Sequence, residues 1–263
     1  MLGLGINTLV KQVKECNMPS RNIESFGISD ILLEQYFSTE YSGYANTELA
    51  CLFTIAVANK SLFPSINMPD GENWQHYINR WVDGYVSADR NPPSSRNATP
   101  KSSCSDPAIK EIVRVATQID ESSAKAMETY HTLFMSAENA QGGLLEEYID
   151  SIIAPLGWIW CKGNTLRSVD FCNTNGSCLL QVKNKSNTEN SSSSAIRAGT
   201  NIRKWYRLGT RTRAGKKIPD YHWDELISII YEESGQRANL SEDEYQVFLQ
   251  RVVSANRNII TDR

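Results

Sequence analysis

Three histidines, His76, His131 and His222, are all that 263 residues supply, and none has a second histidine one helical turn away or a cysteine pair nearby. A zinc site of imidazoles and thiolates is therefore not expected. The six cysteines fall at irregular spacings with no C-x-x-C pair, so free thiols are expected, Cys172 and Cys178 being the one pair close enough in sequence to consider as a bridge. No run approaches the roughly 18 consecutive apolar residues of a membrane span, which argues against a membrane partner. The N-terminus, MLGLGINTLVKQVKEC, lacks the basic start, apolar stretch and small-residue cleavage site of an export signal, and a cytoplasmic location is the expectation. Nor is any internal repeat visible. With 40% hydrophobic and 22% charged residues, the composition is that of an ordinary globular chain, long enough for one large core or two small ones.

What the chain does carry is charge sorted by segment. Net charge is only −3, yet Gln181 to Lys217 holds ten Lys or Arg and a single acid, Glu189, while Ile218 to Arg263 holds nine acids and four Arg. A concentrated basic block inside a mildly acidic protein is what a groove for a polyanion requires, and a solvated basic face is the alternative.

Residues 1–106 read as a mostly helical N-terminal region, with Leu49, Leu52, Phe53 and Ala56 at helical spacing and an exposed Ser/Asn/Pro-rich linker over 87–106. Residues 107–263 form the second region. Asp106-Pro107 predicts a helix start, a capping carboxylate followed by proline at the first helical position. The stripe Ile109, Ile112, Val113, Ala116, Ile119, Ala126, Met127, Tyr130 and Phe134 predicts core packing. Gly142-Gly143 predicts a break, followed by a second helix carrying Leu145, Tyr148, Ile149, Ile152, Ile153 and Leu156, ended or bent by Pro155. GWIWCKG, RSVDFC and CLLQVKN then predict three strands.

Chemistry concentrates in Arg167 to Asn184, RSVDFCNTNGSCLLQVKN. Asn175-Gly176 predicts a two-residue type I′ hairpin turn, because both central positions need positive φ. With no bulge, paired residue numbers then sum to 351, so Asp170 faces Gln181, and Lys183 lies diagonal to Asp170 on the same face. Val169, Phe171, Leu180 and Val182 form the opposite, apolar face. A carboxylate, an amide oxygen and an ammonium group on one face suit Mg2+, which takes oxygen ligands and is typically held by one or two carboxylates plus substrate phosphate. Asp170 would be the charged ligand, Gln181 a neutral oxygen ligand or a holder of water at the metal, and the Val182 carbonyl a third ligand. Lys183 would stabilise charge growing on a phosphate and position the attacking water. The alternative is a plain Asp–Lys ion pair on a solvated sheet face.

Asp170, a turn, and Gln181-Val182-Lys183 on an apolar strand resemble the PD-(D/E)xK nuclease core. The resemblance implies an α/β (α+β) fold, a mixed β-sheet flanked by helices, and an upstream helical acid, for which Glu146 in GGLLEEYID is the candidate and Glu147 the runner-up. Two departures stand out: Ser168-Val169 replaces the usual proline, and Gln181 the usual acid, removing one negative ligand. LLQVKNKSNTENSSSSAIRAGTNIRKWYR is similar, more specifically, to the SinI-type restriction endonucleases, clearest over 143–207. That implies an Asn/Ser-rich segment followed by a basic helix, double-strand cleavage of DNA within a GGWCC-like palindrome, metal dependence, and a companion DNA methyltransferase that acts on the same site without a stable complex. Cutting both strands of a palindrome calls for a homodimer.

The basic segment 183–217 supplies the candidate DNA contacts. Lys185, Asn187, Asn190, Ser192, Ser193, Arg197, Arg203, Lys204, Arg207, Arg211 and Arg213 suit base edges and phosphates; a flexible linker is the other reading for Asn184–Ser194. A repair or junction nuclease, or a nucleic-acid-binding protein without catalysis, are the competing functions.

Overall fold

The structure, a computed structural model, describes residues 18–98, 106–185 and 201–261. The chain divides into two compact units, Met1–Tyr85 with Thr165–Arg167, and Val86–Asn164 with Ser168–Arg263. Among the described residues no helix is long and apolar enough to cross a membrane.

The first unit is built on helices α1 (Asp30–Glu40), α2 (Glu48–Ala58) and the first part of α3 (Trp74–Arg90), with a two-stranded antiparallel sheet of β1 (Ser20–Arg21) and β2 (Ile66–Asn67). The helical stripe Leu49, Leu52, Phe53 and Ala56 is buried. Phe37 and Phe53 stack with ring centres 4.0 Å apart, and Trp81 stands edge-on to Phe53 at 5.9 Å. Residues 165–167 join this unit through backbone bonds: the Trp81 indole N–H donates to the Thr165 carbonyl (2.9 Å) and the Arg167 N–H to the Leu62 carbonyl (2.6 Å).

The second unit is an α+β arrangement. Its five-stranded mixed sheet has the order β3 (Trp158–Trp160), β4 (Phe171–Asn173), β5 (Leu179–Lys185), β6 (Ile202–Arg213), β7 (Lys216–Tyr221), antiparallel except for the parallel pair β5–β6. One core joins α5 (Glu121–Ile153) and the last two helices, α6 (Trp223–Ser234) and α7 (Glu242–Ala255), to the sheet. Leu144, Leu145, Tyr148, Ile149 and Ile153 of α5 meet Trp160, Phe171, Leu180, Val182 and Trp205 of the sheet. Phe171, Leu180 and Val182 of the apolar face read from the sequence are thus covered by helices, whereas Val169 lines the cavity of Glu146 and Asp170 instead.

Several expectations change. α5 runs unbroken through Gly142-Gly143, although each glycine costs a helix about 1 kcal/mol relative to alanine. Gly143 has a packing reason, since a Cβ there would lie 2.8 Å from Pro93 Cγ. The stripe assigned to the core is largely on the surface: α4 (Pro107–Thr117) has no buried residue, and Ile109, Ile112, Val115, Met127, Tyr130 and Phe134 are exposed. Helical periodicity defines a face but not what lies against it. The Asp106 cap does form, its carboxylate accepting from the Ala108 N–H at 2.9 Å. Within 87–98 the chain is docked rather than loose: α3 continues to Arg90, and Pro93 is buried at the start of a single 3-10 turn, Pro93–Ser95. The segment RSVDFC is mostly turn, only Phe171 and Cys172 belonging to β4.

The basic helix implied after the Gln181–Lys183 strand is, over Ile202–Arg213, a twelve-residue strand. Its alternation sends Arg203, Trp205 and Arg207 toward α6 and α7, where the acids of the C-terminal segment wait. Arg203 pairs with Glu232 at 2.8 Å, and Arg207 with both oxygens of Glu242 at 2.6 Å. Arg207 is also held by Asn184 Oδ1 (3.0 Å) and lies 5.2 Å from the Tyr245 ring centre and 5.5 Å from that of Tyr221. Its side chain is 5% exposed, which removes it from the candidate DNA contacts. Arg207→Ala leaves the half-buried Glu242 carboxylate with only the neutral donors of Trp223 and Gln246 and is expected to cost about 2–4 kcal/mol; urea unfolding measures this, and a loss below about 1 kcal/mol would contradict the packing described.

Candidate functional site

The hairpin between β4 and β5 has the expected register by a different turn. Phe171 faces Leu180 and Cys172 faces Leu179, so partner numbers sum to 351. Gly176 sits at φ +70°, but Asn175 is not in the left-handed region, so the turn is not type I′. Instead the Gly176 N–H donates to the Asn173 carbonyl (3.0 Å), the Ser177 N–H to Asn175 Oδ1 (2.9 Å), and the Asn173 N–H to the Cys178 carbonyl (3.2 Å). The Asn side chain stabilises a four-residue connection, which preserves the same parity as the two-residue turn. Cys172 and Cys178 flank it as free thiols.

At Asp170 the ladder is interrupted. Its N–H donates to the carbonyl of Leu180 (2.8 Å), the residue already opposite Phe171, so two residues of this strand face one of β5. That is a β-bulge, and it replaces the predicted direct pairing of Asp170 with Gln181. On the other side the Cys161 N–H donates to the Asp170 carbonyl at 2.9 Å. The carboxylate then takes over the bond that a continuing strand would have made: the N–H of Val182, the residue between Gln181 and Lys183, donates to Asp170 Oδ2 at 2.7 Å. Just upstream, Ser168 has φ +61°, a left-handed position where the family pattern has proline nearby.

Glu146, on α5, is brought to the same place. The Trp160 indole N–H donates to its Oε2 at 3.0 Å, and Glu146 and Asp170 both line a cavity of about 320 Å3 together with Arg96, Trp160 and Lys162. Its neighbour Glu147 is committed elsewhere, to the N–H and hydroxyl of Ser94. Of the two adjacent acids left open in the sequence, Glu146 is the one that lines the cavity with Asp170.

Burial pushes the Glu146 carboxyl up to about 8, and the Asp170 charge pushes the same way; the Trp160 bond, Lys183 and Arg96 oppose them. Burial likewise raises Asp170 to about 6, against the Val182 N–H and the Lys183 charge. Lys183 is half-buried and acts on both acids, yet among the described residues its ammonium makes no ion pair or hydrogen bond. It is not locked to Asp170 as the ion-pair alternative required. Gln181 is 3% exposed and, by the strand alternation, shares the Lys183 face.

Among the described residues no group of three or more His, Cys, Asp or Glu is arranged to hold a metal ion. The donor set here is of another kind: two carboxylates lining one cavity, each with one oxygen free of hydrogen bonds among the described residues. That composition fits magnesium.

The basic candidates scatter. Lys185 pairs with Glu138 (2.9 Å), Arg203 with Glu232 and Glu233, and Arg211 with Asp220 (3.7 Å); Arg213 is exposed, Lys204 half-buried beside Gln181 in the β5–β6 register. Asn187, Asn190, Ser192, Ser193 and Arg197 lie outside the described residues. Sequence reasoning missed Trp160, which orients Glu146, and Arg96, hidden in what read as a linker; neither carries a motif, and long-range packing such as that of Pro93 on Gly143 has no local signal.

The SinI restriction endonuclease family model matches residues 75–255. The chain is similar to the type II restriction enzyme Eco47I of Escherichia coli, 30% identical over 211 residues, covering 78% of this chain and 87% of that protein. It is also similar to the type II restriction enzyme SinI of Salmonella infantis, 33% identical over 159 residues, covering 59% of this chain and 64% of that protein.

The raised Glu146 carboxyl has a measurable consequence. A folded-state value of about 8 against an ordinary 4.5 means stability that is full below 4.5 and is lost as pH rises through 8. Glu146→Gln keeps an acceptor for Trp160 but cannot ionise. Without divalent cation it should melt at a higher temperature than the unmodified protein at pH 8.5 and at nearly the same temperature at pH 4.5. Equal melting at both pH values would show that Glu146 carries no such penalty.

Proposed function

Because this chain belongs to the SinI restriction endonuclease family and is a type II restriction endonuclease, we propose that it makes magnesium-dependent double-strand cuts in a short palindromic DNA site of GGWCC type. The single observation that supports this site assignment is the bond from the Val182 N–H to Asp170, which ties an acid between Gln181 and Lys183 beside Glu146. Asp170, the Gln181 side chain and the Val182 carbonyl would hold the magnesium. When bound, the ion polarises the scissile phosphate and lowers the pKa of water.

The protein's own groups do the rest. Lys183, unpaired within the described residues, stabilises negative charge developing on the phosphoryl oxygens and positions the attacking water. Glu146, oriented by Trp160, would help hold the ion or the water from the α5 side. Lys204, Arg213 and the neutral and basic side chains of 186–200 (Asn187, Asn190, Ser192, Ser193, Arg197) supply phosphate and base contacts, while Lys185, Arg203 and Arg211 do so by exchanging their acidic partners for phosphate.

In this reading the enzyme works in the cytoplasm, and a companion methyltransferase modifies the same site without forming a stable complex. It is a homodimer, because two twofold-related sites are needed to cut both strands of a palindrome. The large apolar side chains exposed on α4 and α5 are the surface that a second copy of the chain would cover.

Incubation of unmethylated plasmid with protein and magnesium should give discrete fragments whose sequenced ends define the site. Lys183→Ala should keep DNA affinity while lowering cleavage at least about 100-fold; a normal rate in that variant would sink the site assignment, and cleavage of branched DNA alone would point to a repair nuclease. Sedimentation should find a dimer that the double substitution Ile112→Asp, Phe134→Asp converts to monomer; a dimer unaffected by both would place the contact elsewhere.

A further inference from the structure

Arg96 stands at the mouth of the acid cavity with its charge unspent. It lines that cavity together with Glu146 and Asp170, and also lines a second cavity of about 320 Å3 that shares Pro93 and Gly143 with the first. Its Nε–H donates to the Asn91 carbonyl at 2.7 Å, which sets the plane of the guanidinium. Both terminal nitrogens are left without a hydrogen bond or ion pair among the described residues.

The segment that presents it is pinned on several sides. Pro93 seats against Gly143, where a Cβ would collide at 2.8 Å. Ser94 donates its N–H and hydroxyl to Glu147. The Asn256 side-chain amide donates to the carbonyls of Ser94 (3.1 Å) and Arg96 (3.0 Å), and the Ala98 N–H donates to the Asn258 carbonyl (2.7 Å). An exposed arginine on a tethered backbone, turned to a cavity that holds two carboxylates yet paired with neither, is prepared for an anion that arrives with its own counterion. Guanidinium offers a planar fork matched to two oxygens of one phosphate and stays protonated at any working pH.

We propose that Arg96 grips a non-bridging oxygen pair of the DNA phosphodiester at or next to the scissile bond, positioning the strand over Asp170 and Glu146. The inference rests on the phosphodiesterase reading of that cavity and adds a substrate-binding residue outside the Asp170–Lys183 hairpin.

The test compares unmodified protein, Arg96→Ala, Arg96→Lys and Lys183→Ala. Arg96→Ala should lower kcat/KM for plasmid cleavage about 10- to 100-fold with an unchanged melting temperature. Binding to linearised plasmid, titrated with salt in the Lys183→Ala background, should show a log–log slope shallower by about one when Arg96 is also replaced by Ala. Arg96→Lys should restore the slope, since charge is kept, but only part of the rate, since the fork is lost. Normal cleavage and an unchanged slope in Arg96→Ala, with Lys183→Ala inactive, would overturn the role of Arg96 and leave the site intact. Lost activity with a lowered melting temperature and the original slope would make Arg96 merely structural and overturn it equally. If the unmodified protein cuts no unmethylated DNA with magnesium, the functional reading itself falls, and the inference with it.

Discussion

The hydrogen bond from the Val182 N–H to the Asp170 carboxylate governs the arrangement of the whole candidate site. A strand amide that would ordinarily meet a strand carbonyl meets a side chain instead, and the bulge at Asp170 and Phe171 is what frees the carboxylate to take that place. The Asp170 backbone is meanwhile tied on both flanks, to Leu180 and to Cys161. An acid so fixed cannot swing out to solvent. It must share its surroundings with Lys183 on one side and with Glu146, steered by Trp160, on the other. The result is a pair of carboxyls whose ionisation opposes folding until positive charge is supplied. Such a cluster is poor as a stabilising device and well suited to capturing a divalent cation.

Charge in the second unit is divided between architecture and ligand. The basic strand β6 and the acid-rich helices α6 and α7 are complementary, and part of the basic block is consumed internally by Glu232, Glu233 and Glu242. The Arg207–Glu242 pair is the extreme case, enclosed by Tyr245, Trp223 and Asn184. Exposed pairs such as Arg211–Asp220 are a different matter, because solvent screens them and a phosphate can replace the carboxylate at little cost. A count of basic residues therefore overstates the surface available to DNA, and alternation along the strand decides which members remain.

Much of this was legible beforehand. Parity of the β4–β5 hairpin followed from Asn175-Gly176 because two- and four-residue connections leave the same residues opposite one another, so the apolar face of Phe171, Leu180 and Val182 came out correctly even though the turn type did not. Bulges escape such reasoning: nothing local to Arg167–Phe171 signals that one residue will be extra. Gly142-Gly143 misled in the opposite sense, since a helix packed against a core can absorb two glycines, and Gly143 is there to admit Pro93, fifty residues away. The exposed stripe of α4 and α5 looked like core for the same reason, a periodic pattern being blind to its partner.

By itself the sequence determined the local quantities: which residues alternate, where charge accumulates, where the Asp106 cap and the hairpin turn fall, and that Asp170, Gln181 and Lys183 belong to one hairpin. Only the tertiary structure decided that Glu146 rather than Glu147 joins them, that Arg207 faces inward, and that Arg96 reaches the cavity from a stretch that read as linker. The physical reason is range. Backbone dihedrals and side-chain periodicity act over a few residues, whereas burial, desolvation and the meeting of charges depend on segments brought together from opposite ends of the chain.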